Sequence, residues 1–156
     1  MTPVLPENQG NLINLAALPT DADVVGELRT LNARGGDGTP SLWQLTLEED
    51  EDDDWGAGPA VWLDAGTAGA SGALRWVDRS GVFIPAEGIP RLSEQGPTVP
   101  YFDWSGTACT VHIALRVPIE HVFAAVAEVV RVRQRPTSVE WAEVDRHHRL
   151  IGPPQP

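Results

Sequence analysis

The chain has 156 residues, a formal net charge of −11 and a single cysteine. That length fits one domain whose core needs neither disulfides nor a structural metal. One cysteine excludes an intramolecular disulfide and a multi-cysteine zinc site, and it suits a reducing compartment. The acidity is local, because Glu48, Glu49, Asp50, Glu51, Asp52, Asp53 and Asp54 hold seven of the 22 acids in one block. All 11 basic residues are arginines, and three of them, Arg131, Arg133 and Arg135, fall together at the end of the second helical stretch. Direct nucleic-acid binding draws on clustered positive charge and is not expected. The first residues lack the basic and apolar regions of a signal peptide. No apolar run reaches the roughly 18 residues of a membrane helix. The expectation is a cytoplasmic protein with a flexible lead over residues 1–10, one domain over 11–145 and a polar, Pro-rich tail over 146–156.

In chain order, Leu12–Leu18 is a short apolar piece, an edge strand or the approach to a helix. Thr20-Asp21-Ala22-Asp23 has the form of a capping box with Asp in place of Glu. Val24, Val25, Leu28 and Leu31 then form a helical stripe, stopped by Gly35-Gly36. From Ser41 the period becomes two, with Trp43, Leu45 and Leu47 on one face. The acidic block follows as a solvated loop. Val61–Leu63 and Ala73–Val77 read as strands, and Gly66–Gly72 between them reads as a turn. Asp78-Arg79-Ser80-Gly81 is a turn signal, with Val82–Ile84 returning as a hairpin partner. Pro85–Pro97 reads as a long surface loop. Val99–Trp104 is a strand, and Ala108–Val117 is the cleanest alternation in the chain. It places Cys109, Val111, Ile113, Leu115 and Val117 on a buried face.

After Val117 the pattern turns helical. Ile119, Val122, Phe123, Val126, Ala127 and Val130 share one stripe. Pro118 suits the first helical position, and Pro136 ends the helix. Val139 and Trp141 then alternate as a last strand, with Trp141 expected to be a core anchor. Helix, strands, helix, strand in that order indicates an α+β fold: a single domain, a mostly antiparallel sheet and two main helices.

Few residues form a chemical constellation. Cys109 and His112 are three apart on a strand, so they point to opposite faces and cannot act there as nucleophile and base. His121 falls on the polar face of its helix, and His147-His148 in a polar tail. No phosphate-binding loop, nucleophile elbow or helical zinc motif is present. The acidic block lacks the calcium-loop pattern, and no metal or cofactor is expected. A run of carboxylates can instead enter and be steered toward the positive channel of an enzyme that handles nucleic acid. Trp55 directly follows it, and aromatic residues are enriched at interface anchors.

One stretch carries a family resemblance. A Val117-Pro118 start and an Ala/Val-rich helix lead into Arg135-Pro-Thr-Ser-Val-Glu-Trp-Ala-Glu-Val144. This ending resembles the C-terminus of the first immunity-protein family of bacterial polymorphic-toxin systems. The likeness extends back through Tyr101-Phe102-Asp103, Gly72-Ala-Leu-Arg-Trp-Val-Asp78 and Gly58-Pro-Ala-Val61, with the tail its most specific part. The resemblance implies a protein that binds and neutralises a toxin, with nucleic-acid deaminases prominent among the partners. The zinc deaminase signature itself is absent, so the chain is not the deaminase.

The expected function is stoichiometric occlusion of a cognate toxin that is basic around its active site, with no catalysis, direct nucleic-acid contact or membrane contact. The candidate partner-binding residues are Glu48–Asp54 and Trp55, with Asp103 and Trp104 as a second patch. The rival readings are an acidic interaction module that regulates some other basic protein, and a small enzyme using Asp103, His112 or Cys109.

Overall fold

A computed structural model describes residues 12–34, 41–47, 61–91, 98–102 and 108–144. In chain order the strands and helices are β1 (Leu12–Asn14), α1 (Val24–Arg34), β2 (Ser41–Thr46), β3 (Trp62–Ala68), β4 (Ser71–Asp78), β5 (Gly81–Pro85), β6 (Thr98–Phe102), β7 (Ala108–His112), β8 (Arg116–Pro118), α2 (Ile119–Val132) and β9 (Trp141–Val144). The strands form one sheet in the order β7-β6-β2-β3-β4-β5-β9, with β1 also on β2 and β8 also on β4. Among the described residues only β1–β2 and β2–β6 are parallel, and the other pairings are antiparallel. The fold is α+β, in the expected order of helix, strands, helix and strand.

Alternation along the strands divides the sheet into two faces. Leu45, Leu63, Ala65, Leu74, Trp76 and Phe83 lie in one core with residues of α1 and α2. On the other face Ala73, Ile84, Tyr101, Val111, Ala114, Leu115 and Val144 form a second core. Gly66 belongs to this second face. A Cβ there would stand 2.6 Å from Tyr101 Cε1, so the ring packs directly on bare backbone. The expected turn over Gly66–Gly72 shrinks to Gly69-Ala70, with Gly69 at a φ of 71° that suits glycine. Gly66 and Gly72 are strand residues.

Both helices differ in detail from their sequence patterns. The α1 cap is Asp23, whose Oδ1 accepts the Gly26 N–H at 2.9 Å. Val24 and Leu28 are buried, whereas Leu31 at the end of the stripe is 39% exposed. On α2 the buried residues are Val122, Phe123, Ala125, Val126, Val129 and Val130. The stripe is therefore rotated from its expected phase: Ala127 is exposed, and Ala125 and Val129 take the core. Pro118 is the N-cap, with extended backbone, rather than the first helical residue. The helix ends at Val132, before Pro136 can act, because Arg133 takes the left-handed conformation with φ 62°.

The segment expected as one strand over Ala108–Val117 is two. β7 pairs with β6, a 3-10 turn covers Ile113–Leu115, and β8 pairs with β4. His112 produces the break: its Nδ1 accepts the Ala114 N–H at 2.9 Å. The expected loop after Pro85 also begins as a 3-10 turn, Ala86–Arg91. Ala86 donates to the Glu140 carbonyl at 2.7 Å, which makes Ile84–Ala142 the next hydrogen-bonded pair of the β5–β9 ladder. Pro85 then turns its missing donor toward β4, where β5 departs and β8 takes over that edge.

Candidate partner-binding site

Glu48, Glu49, Asp50, Glu51, Asp52, Asp53, Asp54, Trp55, Asp103 and Trp104 lie outside the described residues. Their flanks are described. Leu47 donates to the Val61 carbonyl at 3.1 Å, continuing the β2–β3 ladder beyond Thr46–Trp62. Residues 48–60 are thus rooted at the sheet end where Trp62 faces Val77, beside the β4–β5 turn. Asp103 and Trp104 follow Phe102, which pairs with Ser41 at the opposite end of β2. The two candidate patches are rooted about 17 Å apart, by the rise of a six-residue strand.

A cleft of about 720 Å³ opens on the helix-covered face at the same end as the root of residues 48–60. Val61, Trp76, Asp78 and Ser80 line one side, and residues from Gln134 to Trp141 line the other. Its walls are held by short-range polar contacts. Asp78 accepts the Trp76 indole N–H at 2.8 Å and, through its other oxygen, the Ser80 N–H, the Ser80 hydroxyl and the Gly81 N–H. Burial works to raise the Asp78 pKa, but these hydrogen bonds favour the carboxylate and bring the net shift below the ordinary value.

The opposite wall is shaped by how α2 ends. The Arg133 N–H bonds to the Val129 carbonyl at 2.9 Å. Its guanidinium donates to the Val130, Leu15 and Leu18 carbonyls, so one side chain ties the helix end to the segment before α1. One turn earlier, Glu128 accepts the Thr137 N–H at 2.6 Å, the Thr137 hydroxyl at 2.8 Å and the Ser138 N–H at 3.0 Å. Desolvation opposes the charged form of Glu128, yet these hydrogen bonds bring its pKa below the usual value. The Trp141 indole N–H donates to the Pro136 carbonyl at 2.8 Å, and Arg135 stacks over the Phe83 ring at 4.3 Å.

Trp141 is therefore half-buried against the core, not enclosed by it as its strand pattern suggested. The apparent core anchor is a wall of an open cleft. Its signal in the sequence was the Arg135-to-Val144 stretch as a whole, whose turn and strand form one side. Nothing local marked Trp76 and Val61 as the facing wall.

The titratable candidates are elsewhere. His112 is buried and serves as the turn cap described above. Cys109 lies opposite Tyr101 in the β6–β7 ladder. His121 Nδ1 is 3.4 Å from Glu87 Oε1, with both side chains about half exposed. Asp64, missed by the sequence reading, is buried on the face opposite the helices. It accepts from Arg75 Nε at 2.8 Å and from the Trp62 indole at 3.2 Å. Asp64 and Arg75 are cross-strand neighbours, so a buried charge and its partner are fixed by register. Among the described residues no three His, Cys, Asp or Glu side chains gather where they could hold a metal ion. No described helix is long and apolar enough to cross a membrane.

Comparison with known proteins agrees with the resemblance in the C-terminal stretch. No curated protein matches the chain. The family model of the immunity protein Imm1 matches residues 15–143, a span that runs from the turn before α1 into β9 and includes every residue lining the cleft. The chain belongs to the Imm1 family of immunity proteins.

Proposed function

We propose that this protein neutralises a cognate toxin by stoichiometric binding, without turnover, and that it blocks the toxin's active site or the entry of its substrate. The family match over residues 15–143 carries the reading. The chemistry of the chain supports it. Its described histidines make structural contacts, and the cleft beside Trp141 is open, with mixed polar and apolar walls. The partner is a nucleic-acid-targeting toxin of the deaminase type, with a basic surface around its active site. The seven carboxylates of residues 48–54 steer that surface toward the protein, because opposite charges raise the encounter rate. Interaction takes place in the cytoplasm, and neither nucleic acid nor membrane is contacted.

The test is titration of the purified toxin domain with this protein, read as residual toxin activity and as heat of binding. Inhibition should be complete at one equivalent. Activity abolished by a small fraction of an equivalent would indicate turnover, and full activity in excess protein would remove the immunity reading. Replacing the seven acids by Ser, Asn and Gln should slow association and flatten its salt dependence, while dissociation changes less.

A further inference from the structure

We propose that the outer edge of β9 is the docking site for an extended segment of the toxin that carries lysine or arginine and adds to the sheet as a further strand. The toxin as the source of that segment rests on the immunity reading. The edge's demand for an extended chain follows from its own hydrogen bonds. β9 ends the sheet, with β5 on its inner side. The 2.7 Å bond from Ala86 to the Glu140 carbonyl sets the phase of that ladder. Ile84–Ala142 and Val82–Val144 are then the hydrogen-bonded pairs, and the N–H and C=O groups of Trp141 and Glu143 point away from β5. These outward groups have no hydrogen-bond partner among the described residues. Trp141 and Glu143 are both partly exposed. A row of unpaired backbone donors and acceptors is a template for another extended backbone.

Charge selects among extended chains. Glu140, directly before β9, is exposed and lines a recess with Glu87 and His121. Glu143 stands within the strand, and its carboxylate lies over Gly81. Neither Glu140 nor Glu143 forms an ion pair among the described residues. Arg135 stacks on Phe83 of β5, one strand in from the edge. An added strand bearing lysine or arginine sets opposite charge across from Glu143 and beside Glu140, whereas like charges facing each other across strands repel. A second copy of this chain would bring the same two glutamates to the shared edge, together with a further net charge of −11. The acids therefore disfavour self-pairing and favour a basic strand.

The experiment follows backbone amide hydrogen exchange by NMR in the free protein, with the purified toxin domain, and with two eight-residue peptides, one alternating valine and lysine and one alternating valine and glutamate. In the free protein the Trp141 and Glu143 amides should exchange faster than those of Ala142 and Val144. The toxin and the lysine peptide should protect Trp141 and Glu143, and the glutamate peptide should not. Glu143→Pro removes one outward donor and spares the inner ladder, so it should weaken toxin binding about tenfold while Ala142 and Val144 keep their protection. Glu140→Lys combined with Glu143→Lys keeps every backbone donor and should slow toxin association about three- to tenfold. If Glu143→Pro loses β9, seen as fast exchange at Val144, the charge-reversed protein decides. Bound toxin that leaves the Trp141 and Glu143 amides exchanging freely overturns the proposal and leaves the immunity reading. So does charge reversal that leaves toxin association unchanged or faster. Protection of both amides in the free protein at every concentration assigns the edge to the chain itself, and protection that rises with concentration assigns it to a second copy; each overturns the proposal. A wild-type protein that ignores the toxin while the lysine peptide protects both amides removes the immunity reading and upholds the edge's preference.

Discussion

The two ends of α2 are finished in different ways. At the N-terminal end the contacts join elements far apart in the chain. Ile119 donates to the Ala70 carbonyl at 3.1 Å, and the Asn32 amide makes paired 2.9 Å hydrogen bonds to the Gly69 backbone. The β3–β4 hairpin tip is thus gripped by both helices. Arg29 forks onto Glu120 and lies over the Phe123 ring at 4.4 Å. At the C-terminal end Arg133 also reaches back to the Leu15 and Leu18 carbonyls, but the polar groups around the cleft bond close in sequence: Asp78 to Ser80 and Gly81, Glu128 to Thr137 and Ser138, and Trp141 to Pro136. Contacts between elements close a surface, whereas contacts within turns stiffen the rim and leave the space between rims open. This explains why the same helix covers a packed core at one end and borders a cleft at the other.

Leu63→Ala should have the largest effect, because Leu63 is fully buried in the core beneath both ends. A loss of about 2–5 kcal/mol is expected in denaturant unfolding. A smaller loss would mean that the two ends are not supported by one core. Asn32→Ala tests the closed end alone. It removes both hydrogen bonds at the hairpin tip and should cost about 1–3 kcal/mol. Hydrogen exchange at the Gly69 amide should accelerate while amides around the cleft keep their protection. Uniform acceleration would show that the tip is not a separate latch.

Trp141→Ala tests the open end. Partial burial lowers its expected cost to about 1–2 kcal/mol, below the roughly 3–5 kcal/mol of an enclosed aromatic. An equilibrium melt that returns the higher figure would make Trp141 a core residue and the cleft a minor feature. The pH dependence of the same rim is subtler. The Glu128 pKa lies below its ordinary 4.5, so the unfolded chain binds the proton more readily than the folded one. Its contribution is present above that ordinary value and is lost as pH falls through the lower folded value. Stability measured between neutral and acid pH should therefore show a less steep acid limb in Glu128→Gln than in the parent. Identical slopes would show that the Thr137 and Ser138 contacts add nothing to the charged form. The smallest effect belongs to Arg29→Ala. Its ion pair with Glu120 is half exposed on one side and more on the other, so salt should erase the difference from the parent.

The sequence by itself determined much of the local structure. Alternation over Ser41–Leu47 and the turn residues Asp78–Gly81 correspond to β2 and the β4–β5 hairpin. The apolar spacing after Pro118 corresponds to α2. These signals work because a helix or strand repeats on a scale of a few residues, and one buried face suffices to reveal it. The order of elements followed, and with it the α+β class. The Arg135–Val144 stretch carried the family.

Tertiary structure decided whatever depends on residues distant in the chain. The alternating pattern through Ala108–Val117 reads as one strand, but it cannot say that β7 and β8 pair with different strands, or that His112 turns its ring back to cap the break. The phase of α2 shifted from Ala127 to Ala125 and Val129 because the sheet, not the helix, determines which side is covered. Gly66 looked like a turn residue until Tyr101 was placed on it. Trp141 has the pattern of a core residue, yet its exposure depends on where Val61 and Trp76 stand across the sheet. Local spacing encodes period and propensity; burial and recognition surfaces are sums over neighbours that only the folded chain brings together.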